Sequence, residues 1–385
     1  MSGTRGEIIE AFLDAAGVAD AAREALPGDA STRRYVRLTL PGSLADSLAD
    51  SLAGARRLML MDQPPGAEAV ICQPHFSEAE RLAAGWNATA RLSGGSVAAF
   101  VAVADHLRAL GLSAPEVIAF DAGAGLALIE DFGDGLYARA LEGGANEESL
   151  YRAAVEVLAH LHETAPPQQL LAGATPWPVL EYDGLALKAG ADLFVQWWPQ
   201  YRGAGIIPDG WPDGWPDGWD EVTAPLVREG EGEGEGGGRV LVHRDYHAEN
   251  LLWLAGREGL ARTGLIDFQD AVAGHPSWDL HSLLQDARRD VDPQLQERMI
   301  AHYLSLRPQV DEAAFRRAYR ALATLNALRI LGIFARLVVR DGKTRYAGFM
   351  GRMWGHLDRN LAAPELEPLR AWLEVRGLGP QGALR

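Results

Sequence analysis

The run His243-Arg244-Asp245-Tyr246-His247-Ala248-Glu249-Asn250 constrains this chain more than any other feature. Apolar Val240-Leu241-Val242 leads into it, so the run belongs on a loop leaving a buried strand. Leu251-Leu252-Trp253-Leu254, a turn over 256–264 and Leu265-Ile266 then read as a hairpin that returns Asp267 beside Asn250. This order of groups suits phosphoryl transfer. Asp245 is the candidate to take the proton of an attacking hydroxyl. Asn250 and Asp267 offer magnesium the hard oxygen ligands it needs and leave places for phosphate and water. The bland alternatives are a loop-stabilising carboxylate at 245 and a turn residue at 250. His243 is expected to tether the loop through hydrogen bonds. Asp279, in Ser277-Trp278-Asp279-Leu280, is expected to open a helix and brace the loop. Zinc does not fit: His243 and His247 lack the Glu of H-E-x-x-H, and His247-Ala248-Glu249 lacks a cysteine pair.

Composition narrows the partners. The chain has 385 residues, 48% hydrophobic and 23% charged, enough for a bilobal enzyme with a sizeable core. A net charge of −16 argues against nucleic acid, whose phosphates reward clustered basic residues. It does not argue against ATP, which needs only a local field and a divalent ion. One cysteine, Cys72, leaves no disulfide within the chain and points to a cytoplasmic protein. Neither a signal peptide nor a run of about 18 apolar residues is apparent, so no membrane span is expected.

The pattern of elements gives an α+β, bilobal, protein-kinase-like fold. A helix over 6–16, strands at Tyr35–Leu40 and Leu58–Met61, a helix ending at Gly111 and a hairpin of Val117–Phe120 with Leu126–Glu130 make a small, mainly antiparallel lobe over 1–130. Residues 131–134 form the hinge. Residues 135–385 form a larger helical lobe, with Asn146 capping one helix and others expected over 185–203, 293–337 and 345–361. Two flexible low-complexity segments interrupt it: 208–220, with its Pro-Asp-Gly-Trp repeats, and 229–238, an alternation of Glu and Gly.

Asp131-Phe132-Gly133 spells a magnesium triplet, but it precedes the catalytic run. Its position makes Glu130, Phe132 and Gly133 part of the hinge, whose backbone meets an adenine edge. Gly28, Ala30 and Ser31 form a small-residue turn able to cover phosphates with backbone N–H groups, and Arg33 adds charge. Only Lys188 and Lys343 occur among the 36 basic residues, so the first lobe has no strand lysine for the α- and β-phosphates.

Taken in order, the small-residue turn, Leu128 to Asp134, His243 to Asn250, Ile266 to Asp270 and Trp278-Asp279 resemble the aminoglycoside phosphotransferase-like kinases. Finer features look like the bacterial anomeric N-acetylmuramate/N-acetylglucosamine kinases. These are Tyr35-Val36-Arg37, Leu58 to Asp62 without a lysine, Asp245-Tyr246-His247 and Leu331 to Leu337. The resemblance implies transfer of the γ-phosphate of ATP, with magnesium, to the C1 hydroxyl of an amino sugar during cell-wall recycling. It implies a small-molecule acceptor rather than a macromolecule, and a monomer is expected. An aminoglycoside O-phosphotransferase and a non-catalytic nucleotide-binding regulator are the alternatives. For the sugar, Glu181, Tyr182, Asp183, Trp197, Trp198, His247 and Arg329 are candidates: aromatic faces suit sugar rings, and an Arg suits a lactyl carboxylate. Ordinary core packing is the competing role for each Trp.

Overall fold

The computed structural model describes residues 4–27, 33–41, 57–64, 70–92, 96–203, 216–231 and 238–379. The turn containing Gly28, Ala30 and Ser31 lies outside them, as do 204–215 and 232–237.

Strands β1 (Ala22–Ala25), β2 (Arg34–Thr39), β3 (Arg57–Asp62), β4 (Val117–Asp121) and β5 (Leu126–Glu130) form one antiparallel sheet in the order β1-β2-β3-β5-β4. Successive side chains of a strand face opposite ways. In β3, Leu58 and Leu60 join Leu126 and Leu128 against Leu13 and Val18 from the region of the first helix, Arg5–Ala15. Met59 and Met61 join Ala127 and Ile129 on the other face, in a core with Phe100 and Val101 of the helix Val97–Ala109. The sheet is therefore covered on both faces, which explains why β3 reads as an unbroken apolar run rather than an alternation.

After residue 135 the described chain is mostly helical. Asn146 caps Glu147–Leu161 by accepting from the Ser149 N–H at 2.8 Å. The helix Glu312–Val339 is long and apolar enough to cross a membrane, yet 15 of its residues are buried inside this fold. It packs against Gly184–Tyr201 at Gly332, where an added Cβ would come 2.6 Å from the Leu193 carbonyl oxygen. Short β-pairs carry the catalytic run: Val240–Val242 with Val272–Gly274, and Leu251–Trp253 with Thr263–Leu265. The molecule is thus α+β, with an antiparallel sheet in the N-terminal part and helices in the C-terminal part.

Parts of the two segments expected to be flexible are ordered. Trp219 is fully buried at the start of the helix Trp219–Glu231 and donates its Nε1–H to Asp192 at 2.6 Å. Glu231, at the end of that helix, accepts the Gly184 N–H at 2.8 Å. A low-complexity composition hid these contacts, because a single Trp finding a pocket outweighs the polar residues around it.

Candidate active site

The run His243 to Asn250 is braced by the helix that follows it. Asp279, fully buried in the helix Ser277–Leu284, accepts the His243 N–H at 2.7 Å and the Arg244 N–H at 2.8 Å. Burial pushes its carboxyl up to about 7, against the pull of those two N–H groups. The Trp278 indole donates to the Arg244 carbonyl at 3.2 Å, and the Tyr246 hydroxyl donates to the Ala154 carbonyl at 2.9 Å. Arg244 adopts φ +76° and Asp267 φ +63°, the left-handed region that costs a non-glycine residue free energy. Two such residues flanking one cleft are over-determined by their surroundings, as functional loops are. The His243 ring contributes packing, edge-on to Tyr246 and Phe268, while its backbone carries the tether.

A cavity of about 770 Å³ opens between the sheet and the helical part. Leu26, Pro27, Met59, Ile129, Leu252 and Ile266 give one end an apolar slot, bordered by Glu130 to Asp134. Asp131 is held by Arg37 at 2.8 Å, with Arg57 at 3.5 Å. The Phe132 ring packs on Gly264, with the Arg257 guanidinium 4.9 Å away, and Glu130 is ion-paired to Arg257. Side chains at 130–132 are thus occupied by protein, and the Glu130 and Gly133 N–H groups donate to the Glu116 carbonyl at 2.9 Å and to Asp131 Oδ1 at 2.8 Å.

Ion pairing singles out one acid. Of the carboxylates lining the cavity, Asp131 and Asp134 pair with Arg37, Glu130 with Arg257, Glu249 with Arg288, Asp267 with Arg33 and Asp270 with Arg91. Asp245 alone has no cation or hydrogen-bond partner at its side chain among the described residues.

Asn250 and Asp267 are set side by side, since the Ile266 N–H donates to the Asn250 carbonyl at 3.2 Å. Asn250 commits its Nδ2 to the Asp245 carbonyl at 2.9 Å, and its Oδ1 has no protein donor among the described residues. Asp267 uses Oδ1 for Arg33 and Gln269, each at 3.0 Å, and its Oδ2 has no protein donor among them. No group of three or more His, Cys, Asp or Glu side chains able to hold a metal exists among the described residues. One amide oxygen and one carboxylate oxygen match an ion that shares its shell with phosphates and water, as magnesium does. Arg33 is buried and also meets Gln269 at 3.0 Å, Tyr35 at 3.2 Å and Gln63 at 3.3 Å. It brings a fixed positive charge from the sheet side to the place where phosphates would lie.

The residues considered for the sugar fall in different places. Arg329 lines the cavity. His247 stands behind Asn250, its Nε2 3.3 Å from Asn250 Nδ2; burial pushes it down to about 4, so a neutral ring accepts there. Tyr182 lies under the Arg244 guanidinium, 4.4 Å from ring centroid to Cζ, and edge-on to Trp278. Asp183 caps Gly184–Tyr201 and pairs with Arg81. Glu181 is exposed and lies 3.6 Å from Arg239. Trp198 is core: it stacks on Phe194, meets Trp354 and donates to the Leu378 carbonyl at 3.0 Å. Trp197 packs at the edge of that cluster. Aromatic residues on a helix of alternating exposure give no sign of which face meets a ligand. Conversely, Trp86, Arg91 and Arg139 line the cavity without a sequence signal, and Ile333, which also lines it, lies in the Leu331 to Leu337 stretch. Trp86 caps and Arg91 ends a π-helical turn, Asn87–Arg91, whose irregular backbone has no periodicity to read.

A cleft between an antiparallel sheet and a helical body, lined by an unpaired carboxylate together with Asn250 and Asp267, is that of a kinase-fold phosphotransferase. The chain belongs to the phosphotransferase enzyme family, whose model matches residues 23–319. It is 47% identical to an N-acetylmuramate/N-acetylglucosamine kinase of Caulobacter vibrioides, over 97% of each chain. It is 29% identical to a protein of the same name from Pseudomonas aeruginosa, over 92% of this chain and 88% of that one. Among solved structures it is similar in fold to a choline/ethanolamine kinase family protein from Mesorhizobium loti, with a TM-score of 0.52 and 16% identity over 97% of this chain and 100% of that one.

Proposed function

We propose that this chain is an ATP-dependent sugar kinase that phosphorylates the C1 hydroxyl of N-acetylmuramate and N-acetylglucosamine, with magnesium, in the cytoplasm during peptidoglycan recycling. The observation that carries the proposal is the unpaired state of Asp245 in a cavity whose other carboxylates are all neutralised by Arg. The relatives' shared name supplies the substrate class. Residues 1–130 and 135–385 act as two lobes about a hinge at 131–134, and the chain works as a monomer.

In this reading the apolar slot of Leu26, Met59, Ile129 and Leu252 holds the adenine, and the backbone of 130–133 meets its edge. The turn with Gly28, Ala30 and Ser31, together with Arg33, covers the phosphates. Asn250 and Asp267 hold magnesium, which when bound neutralises phosphate charge and fixes the terminal phosphate for in-line displacement. Asp245 orients the sugar hydroxyl and takes its proton. An anomeric hydroxyl is more acidic than an ordinary alcohol, so a carboxylate is a sufficient base. Arg33 acts mainly by placing charge, and Asn250 by placing a polar oxygen, before the reaction begins, and such preorganisation is where most of the rate enhancement in such sites arises.

An aminoglycoside acceptor is the alternative reading, whereas the relatives at 47% and 29% identity carry the amino-sugar name. The test is ADP release with N-acetylmuramate, N-acetylglucosamine and kanamycin. Turnover with the two sugars is expected, and Asp245→Asn should lower it by about 10²- to 10⁴-fold. Turnover with kanamycin alone, or a rate unchanged in Asp245→Asn, would overturn the assignment. Sugar-independent nucleotide binding without turnover would favour a regulator instead.

A further inference from the structure

Three arginines that line the cavity, Arg139, Arg244 and Arg329, have no carboxylate partner among the described residues. Arg91 is paired with Asp270 at 2.8 Å. Arg244 is held by the carbonyls of Ala90 and Arg91 and by the Tyr182 ring. Arg329 has a single hydrogen bond, 3.1 Å from Nη1 to Asn326 Oδ1, and no carboxylate partner among the described residues. Seven residues further along Glu312–Val339, two turns up the same face, stands Arg336. Its Nε is buried without a hydrogen bond, and its guanidinium lies 5.8 Å from the Trp86 ring centroid. Ile333, between the two arginines, lines the cavity together with Trp86 and Arg329.

A half-buried arginine that lines a cavity without a counter-ion is open to an anionic group of a ligand. A neutral sugar offers it none. A carboxylate does, through two parallel N–H···O bonds. N-acetylmuramate is N-acetylglucosamine with a lactyl ether at O3, and the lactyl group ends in a carboxylate. Resting on the sugar-kinase reading, we propose that Arg329 is the specificity residue of the acceptor subsite. It binds the lactyl carboxylate and makes N-acetylmuramate the preferred substrate over N-acetylglucosamine. Trp86 forms an aromatic wall of that subsite, and Arg336, packed on its ring, is a positioning residue.

Kinetics with both sugars test this. Arg329→Gln should lower kcat/KM for N-acetylmuramate by about 10- to 100-fold, the worth of a charge-assisted contact, and change that for N-acetylglucosamine by less than about threefold. Arg329→Lys, which keeps the charge but not the fork, should restore part of the loss. Arg336→Gln should act in the same direction and more weakly. Equal losses for both sugars, or no loss for either, would overturn the proposal. Calorimetric titration of the full-length protein separates this failure from that of the kinase reading. If neither sugar is turned over, the kinase reading falls, and the binding contrast still decides the subsite. Wild type should bind N-acetylmuramate at least about tenfold more tightly than N-acetylglucosamine, and Arg329→Gln should erase the difference. Equal affinities in wild type, or no binding of either sugar, would refute the subsite.

Discussion

Asp279→Asn is the substitution from which the structure yields the fullest prediction. The side chain is fully buried, and each oxygen accepts one backbone N–H, from His243 at 2.7 Å and Arg244 at 2.8 Å. An asparagine keeps one acceptor and turns an NH₂ toward the other N–H. That exchange removes one hydrogen bond to a charge-bearing group, about 1.5–3 kcal/mol, and leaves a buried donor unpaired, about 1–3 kcal/mol. The expected loss is about 3–5 kcal/mol. For a chain of this size that lowers the midpoint of thermal unfolding by about 4–6 °C. Asp279→Ala removes both acceptors and should be worse. The loop also holds Arg244 at φ +76°, so a loosened loop relaxes and Asp245 loses its aim. Activity should therefore fall more steeply than the folded fraction does at 25 °C. Urea unfolding followed by fluorescence, with turnover measured alongside, checks both parts. A loss below about 1 kcal/mol, or equal losses for Asn and Ala, would refute the idea that these two bonds hold the loop.

Other expectations concern separate parts of the molecule. Arg33→Gln should raise the KM for ATP by about tenfold or more while the KM for sugar moves little, and Arg33→Lys should recover part of it; steady-state kinetics decide. Gly332→Ala should destabilise the protein by about 1–3 kcal/mol in denaturant titration, because its methyl would meet the Leu193 backbone, although alanine favours a helix. Acid should destabilise the fold. Burial pushes His162 and His281 down to about 3, and His247, His275 and His356 down to about 4. The unfolded chain binds these protons at about pH 6.5. Their contribution is complete above that pH and is lost on acidification toward 4, by up to about 1.4 kcal/mol per pH unit for each histidine. Asp279, raised to about 7, and Asp105, Asp192 and Asp358, also raised by burial, work in the opposite sense, against these five histidines and His106 and His243, which burial lowers as well. The urea midpoint should be lower at pH 5.5 than at pH 7.5, and a higher midpoint in acid would contradict the burial argument.

Much of the layout of the candidate site was legible in the chain because it is local. His243 to Asn250 and the hairpin to Asp267 span fewer than thirty residues, so strand and turn propensities alone bring Asp245, Asn250 and Asp267 into one neighbourhood. The sheet strands and the Asn146 cap follow from short-range patterns of the same kind. Tertiary structure alone decided the rest, since contacts between distant residues leave no mark on periodicity. Arg33 meets Asp267 across 234 positions, and Asp183 turns to Arg81 across 102. Trp198 and Trp219 serve the core, whereas Trp86 reaches the cavity; all three are equally apolar in the sequence. Which carboxylates are neutralised, and therefore which one is free to accept a proton, depends on where the arginines end up. Charge pairing is set by distance in space, and only the folded chain fixes it.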